Sequence, residues 1–289
     1  MSPTLVRHQL PNTGYLPSAG PAAPAGTRAR ARARARDWAE IQERMLVPLY
    51  EAAYDRLGIG PGTRLLGLGC GSGLALLLAA ARGAQVSGVD ADECRLELAR
   101  ERLTPDGMPE VTRLVSGGLA DAAPTDAAFT VITAFHPVGC GGGAQEVAGA
   151  LTAAATMAER GSAVVLGGWG PVERCAAAGV LGVARRLTEP AASLGAGWRP
   201  AGRDDLEELA GRAGLRPDGS GRVACPFGYA DLTSAVRGML STGLFDAALE
   251  TAGPRQVEKE LAEALQPYQR ADGTVWMANV FRYLIARTR

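Results

Sequence analysis

Residues 64–73 read RLLGLGCGSG, and residues 74–82 read LALLLAAAR. The apolar run RLLGL at 64–68 reads as a short strand and the run that follows as a helix. Between them, Gly69, Gly71 and Gly73 let the backbone turn sharply and approach a ligand with no Cβ in the way. The helix N-terminus adds free N–H groups. Two nucleotide readings compete for such a unit. The dinucleotide fingerprint needs G-x-G-x-x-G. Here Leu74 follows Gly73, the spacing is G-x-G-x-G, and a pyrophosphate cradle is the weaker reading.

Working outward, strand and helix alternate. QVSGV (85–89) is a strand and ECRLELARERL (93–103) a helix; VTRLV (111–115) and FTVITAF (129–135) are strands. AQEVAGALTAAATMAE (144–159) is a helix and SAVVLGGW (162–169) a fifth strand. The alternation predicts an α/β fold with a parallel sheet covered on both faces. The ligand site of such a sheet lies at the carboxyl ends of its strands. Further on, residues 204–215 and two stretches within 231–268 read as helices, and 276–287 as a last strand. The helices inserted before that strand, at 226–270, read as a lid.

On the other side, residues 1 to about 27 are rich in Pro, Gly and Ala without periodicity. Arg28, Arg30, Arg32, Arg34 and Arg36 then alternate with Ala. Residues 1–36 are expected to be a disordered Arg/Ala-rich tail. The Arg run reads either as an anion-binding arm or as a solvated helix extension offset by Asp37, Glu40 and Glu43; the second is favoured, because a charge run alone specifies little. Trp38, Ile41, Met45, Leu49 and Ala53 recur at helical spacing, so 37–60 is a helical cover. Pro48 either breaks it or sits in the first turn of a second helix. The domain proper is 37–289.

Composition narrows the class. The chain has 289 residues, 47% hydrophobic and 21% charged, enough for a full core. Its 30 Lys and Arg balance 30 Asp and Glu, which argues against a globally basic nucleic-acid binder. Five cysteines, widely spaced and without a CxxC pair, argue against a disulfide framework or a metal site and for a cytoplasmic setting. The first residues lack a basic start followed by an apolar run, and Leu74–Ala81 is too short to span a bilayer, so no membrane association is expected.

The loop at 69–73 resembles motif I of the class I S-adenosylmethionine (SAM)-dependent methyltransferases. Three further stretches are similar to that family: GVDAD (88–92), FTVITAFHP (129–137) and GSAVVLGGWG (161–170). The resemblance is closest to small-molecule methyltransferases of secondary metabolism in actinobacteria. It implies a Rossmann-like seven-stranded sheet, six strands parallel and the last antiparallel. It implies SAM as cofactor and S-adenosylhomocysteine as product. Gly69, Cys70, Gly71 and Gly73 would then pack against the methionine part. Asp90, with Ala91 beside it, would hold the ribose, and Gly118 and Leu119 would flank the adenine. Phe135 and His136 would sit near the sulfonium and the acceptor. The chain departs from the family where an acid is usual: Gly67, Gly118 and Thr130 stand there instead.

Methyl transfer from an activated donor works largely by proximity, and a base is needed only if the acceptor loses a proton. His136, one of two histidines, is the candidate base. The other reading is a pocket-wall histidine. Cys140, in GCGGG, is a small loop residue before it is a nucleophile, and Cys70 packs. Some of Trp38, Tyr50 and Trp169 are expected to border the pocket. The leading reading is methyl transfer to a small molecule. The alternative, motivated by the missing acids, is a catalytically degenerate protein on the same fold, acting as a ligand sensor or regulatory partner. Nucleic-acid methylation guided by the Arg arm is a third. His136-Pro137-Val138-Gly139 stands where amino-methylating nucleic-acid enzymes carry Asn/Asp-Pro-Pro-Tyr.

Overall fold

The computed structural model describes residues 25–104, 113–117, 119–122, 128–135, 144–188 and 201–289. Within them the strands are β1 (Arg64–Leu68), β2 (Gln85–Asp90), β3 (Arg113–Ser116), β4 (Phe129–Ala134), β5 (Ala158–Trp169), β6 (Arg216–Ala224), β7 (Phe227–Tyr229), β8 (Val275–Met277) and β9 (Val280–Arg287). Seven of them form one sheet in the order β3-β2-β1-β4-β5-β9-β6. β3, β2, β1, β4 and β5 pair in parallel, and β9 runs antiparallel between β5 and β6. Six strands therefore point one way and the last the other.

The helices are α1 (Ala25–Asp37), α2 (Val47–Leu57), α3 (Leu74–Ala81), α4 (Glu93–Leu103), α5 (Ala144–Ala155), α6 (Ala177–Thr188), α7 (Asp205–Arg212), α8 (Leu232–Ser241), α9 (Asp246–Ala252) and α10 (Pro254–Leu265). An apolar layer lies on each face of the sheet. α2, α3 and the inserted helices pack around Leu65, Leu76 and Phe281, while α5 and α7 cover Leu66, Ile132 and Leu284. Short caps fix the βα turns: Asp92 accepts from the N–H groups of Cys94 (2.9 Å) and Arg95 (3.2 Å) at the start of α4.

Three expectations need correction. Residues 25–36 are not disordered: they form most of α1, which packs on α4 and α8. Arg28 and Arg32 both pair with Glu97, and Arg34 pairs with Asp246. These partly exposed pairs add little stability, but they turn part of the Arg run onto the protein itself. The remainder of the expected tail, residues 1–24, lies outside the described residues. The run 276–287 is not one strand. It divides at Ala278-Asn279 into β8, which pairs with β7 in a separate ribbon, and β9. Buried Asn279 holds that division: its Oδ1 accepts from Ala177 N–H (2.9 Å) and its backbone O from Cys225 N–H (2.9 Å). The helical insertion thus runs from Cys225 to Asn279, wider than 226–270.

The helical cover is also more irregular than its spacing predicts. α1 passes into a π turn at Trp38–Gln42 and a 3₁₀ turn at Glu43–Leu46 before α2 begins. Pro48 lies in the first turn of α2, where its missing N–H is harmless. Among the described residues no helix is long and apolar enough to cross a membrane, and no group of His, Cys, Asp and Glu could hold a metal ion.

Candidate functional site

At the carboxyl end of β1 the chain turns through Gly69, Gly71 and Gly73, with φ of 62°, 57° and 81°. Side chains rarely adopt that left-handed backbone, so the glycines are what permits the loop. Asp90, at the end of β2, fastens it. Its Oδ2 accepts the Gly71 N–H at 2.7 Å and its Oδ1 accepts the Asp92 N–H at 2.8 Å. The carboxylate is 8% exposed, yet each oxygen keeps a second lone pair for another donor. Gly73 has a packing reason as well, since a Cβ there would lie 2.9 Å from Ala99 Cβ on α4.

Gly67 answers to packing too. It pairs with Gly88 across β1 and β2, and the two make a trough in the sheet. Leu76 of α3 drops into it: a Cβ on Gly67 would lie 2.9 Å from Leu76 Cδ2, and one on Gly88 2.7 Å from Leu76 Cδ1. No acid fits at 67. Thr130 likewise has a local job, accepting the Arg64 N–H at 3.0 Å.

A carboxylate reaches the loop from elsewhere. Glu43, 2% exposed, is bonded by the Ser72 hydroxyl and by Arg102 Nη1 at 2.7 Å. Arg102, on α4, also donates to Ser72 O (2.9 Å) and to Ala39 O (3.0 Å). Glu43 lines a small cavity together with Tyr50, Gly67, Gly69, Cys70 and Phe135. Phe135 packs there against Tyr50 and Tyr54, with ring centroids 4.9 and 5.7 Å apart. Burial, and then the Asp90 charge, raise the Cys70 thiol well above its usual pKa, so it is a neutral wall and not a nucleophile. Burial, followed by Glu43, does the same to the Tyr50 phenol.

Residues 65–161 match the methyltransferase domain family. That match spans about a third of the chain. The fold is that of solved methyltransferases. A candidate methyltransferase of Bacillus halodurans is similar over 82% of this chain and 97% of its own, at 16% identity and a TM-score of 0.52. The YcgJ protein of Bacillus subtilis is similar over 83% and 97%, at 16% identity and 0.54. A cyclopropane synthase of Mycobacterium tuberculosis is similar over 83% and 84%, at 14% identity and 0.53. At these identities the likeness is one of fold. No curated protein matches the chain significantly.

The structure brings Gly69, Cys70, Gly71, Asp90 and Phe135 around the carboxyl ends of β1, β2 and β4. Ala91 follows Asp90 and is exposed; Leu119 is half-buried on a 3₁₀ turn after β3. Gly118, His136, Pro137 and Cys140 lie outside the described residues. Trp38, Tyr50 and Trp169 each line a cavity. Trp276 does not: it is exposed and stacks on Arg270 at 4.8 Å. Sequence reasoning missed Glu43. In sequence it reads as one of the charges offsetting the Arg run, and only its neighbours' apolar spacing signals that this segment is buried.

Proposed function

We propose that the domain transfers the methyl group of SAM to a small-molecule acceptor. The observation that carries this reading is the Asp90–Gly71 bond, which holds the glycine-rich loop in place beside a cavity. The residues present suit the cofactor. Gly69 and Gly71 offer backbone to its amino-acid part. Asp90 has lone pairs left for ribose hydroxyls. Glu43 offers a carboxylate to an ammonium group, in place of the acid that is missing at Gly67. Arg102, bonded to Glu43, offers a cation to a carboxylate. Gly118 and Leu119 are the residues proposed to flank the adenine. The cofactor, when bound, supplies an already activated methyl on a sulfonium.

The chain's share of the work is then orientation and exclusion of water. Phe135, Tyr50 and Cys70 wall the cavity with neutral groups. The helical cover and the insertion pack together on this side of the sheet, which fits a small acceptor. His136, directly after Phe135, is the proposed base for an acceptor that must lose a proton. His136→Ala should then lower turnover while leaving S-adenosylhomocysteine affinity unchanged; a parallel loss of both would remove that role.

Glu43 gives the reading a sharp test. Calorimetry should compare S-adenosylhomocysteine with 5′-methylthioadenosine, which lacks the amino-acid part. Glu43→Gln is expected to weaken the first about 10-fold or more, the loss of a charge-assisted hydrogen bond, and to leave the second unchanged. Equal weakening of both ligands, or of neither, would show that Glu43 does not recognise the ammonium.

A further inference from the structure

Arginine alternates with alanine from Arg28 to Arg36. On a helix each such step turns about 200°. Arg28 and Arg32 therefore share one flank of α1, and Arg34 lies on the other. Between the flanks runs an inward stripe of Ala31, Ala35 and, just beyond the helix, Trp38; Ala35 is 1% and Trp38 4% exposed. Both flanks find partners. Arg28 and Arg32 reach Glu97 on α4, at 3.2 and 3.1 Å. Arg34 reaches Asp246 at the start of α9, at 2.8 Å, and Asp37 accepts from Arg237 Nε on α8 at 3.3 Å. One flank is tied to the α/β core and the other to the insertion.

Charge is what holds α1 down. Its 13 residues include no apolar side chain larger than alanine. Its ion pairs are partly exposed, individually weak and open to screening by salt. A helix of this length is only marginally stable in water once it leaves its neighbours.

The two elements that α1 joins also carry the candidate cofactor site. α4 is capped by Asp92, whose N–H is bonded to Asp90. α1 runs on through the π turn to Glu43. At the meeting point Arg95 of α4, 9% exposed, lies over the Trp38 ring at 4.6 Å and donates to Ser241 O, at the end of α8, at 2.7 Å. Core, cover and insertion thus meet on one buried cation, and α1 leads into that joint.

Resting on the methyl-transfer reading above, we propose that α1 is a charge-fastened strap: docked, it holds the cover and the insertion against the cofactor cradle, and salt releases it. A ligand that engages Asp90 and Glu43 fixes both elements that the strap joins. Ligand binding and strap docking therefore strengthen each other, by the reciprocity of linked equilibria.

Hydrogen exchange on the full chain tests this, read by mass spectrometry over residues 25–37 and over β1 as a stable reference. Between about 50 and about 500 mM NaCl, exchange over 25–37 should quicken about fivefold while β1 stays unchanged. Glu97→Gln removes the partner of two arginines, and at low salt it should exchange most of the way toward the wild-type high-salt rate. Saturating S-adenosylhomocysteine should slow exchange over 25–37 about threefold or more. Exchange there that ignores salt, or that rises only together with β1, would overturn the proposal without needing any variant. So would a Glu97→Gln chain that exchanges like the wild type, or a ligand that binds and leaves residues 25–37 unchanged. If salt and Glu97→Gln release α1 but S-adenosylhomocysteine does not bind, the charge fastening stands and the methyl-transfer reading falls.

Discussion

Asp90→Ala is expected to unfold the cofactor loop and to abolish S-adenosylhomocysteine binding. Two amides, of Gly71 and Asp92, lose their acceptor, the first buried and the second half-buried. A buried donor left without a partner costs about 1–3 kcal/mol, and the half-buried Asp92 N–H adds less. That is a large fraction of the stability of any single domain. Part of the cost is recovered if the loop opens and lets water reach the amides, but then Gly69 and Gly71 no longer present their backbone as a fixed surface. Asp90→Asn keeps one acceptor oxygen and turns an NH₂ toward the other amide, so it should fall between the two. Urea denaturation of the three proteins measures the order directly. A fully stable Asp90→Ala that still binds the ligand would remove the fastening role.

Gly67→Asp is expected to be nearly as damaging, although it restores the residue class common at this position in the family. Its Cβ would lie 2.9 Å from Leu76 Cδ2 and 3.4 Å from Cys70 Cβ. Leu76 is 1% exposed and fills the trough over both Gly67 and Gly88, so an added side chain forces it toward the cavity that it lines. Overpacking of this kind costs about 1–3 kcal/mol, and the buried carboxylate adds to it. We expect a loss of at least about 3 kcal/mol and no gain in cofactor affinity. A variant that is stable and binds S-adenosylhomocysteine more tightly than wild type would show that the trough can open. It would also show that Glu43 is not the substitute acid.

The outcome at Gly67 explains what the sequence made legible and what it hid. From β1 to α4 the boundaries are readable almost to the residue. Apolar runs, glycine turns and the Asp92 cap all act locally there, and each strand is buried on both faces. β6 was not readable. RPDGSGRVA is polar, and holds a proline and two glycines, because the strand lies at the sheet edge and pairs only with β9. Its fifth residue pair with β9 makes the same point: Gly221 lies opposite Tyr283, whose ring covers the place a side chain would take. The split at Ala278-Asn279 was hidden for another reason. It depends on hydrogen bonds to Ala177 and Cys225, distant in sequence.

Glu43 is the instructive miss. On a regular helix each residue turns about 100°, and Glu43 falls off the apolar stripe of Trp38, Ile41 and Met45. The π turn at Trp38–Gln42 shifts that phase and swings Glu43 toward the glycine loop. Periodicity cannot report a departure from its own period. The missing acid at 67 was visible in the sequence; the carboxylate that lies near its place, contributed by the helical cover, was not.

The central claim is that the Gly69–Gly73 loop, fastened by Asp90, is a cofactor cradle of the methyltransferase kind and not a dinucleotide site. Thermal melting of the wild-type chain with S-adenosylhomocysteine, and separately with NAD, tests it most directly. At a concentration about 100-fold above its Kd, the first should stabilise the fold by about 2.7 kcal/mol. For a domain of this size that is a rise of roughly 5–10 °C in Tm. NAD should leave Tm unchanged. No rise with S-adenosylhomocysteine at millimolar concentration, or a rise with NAD instead, would contradict the account.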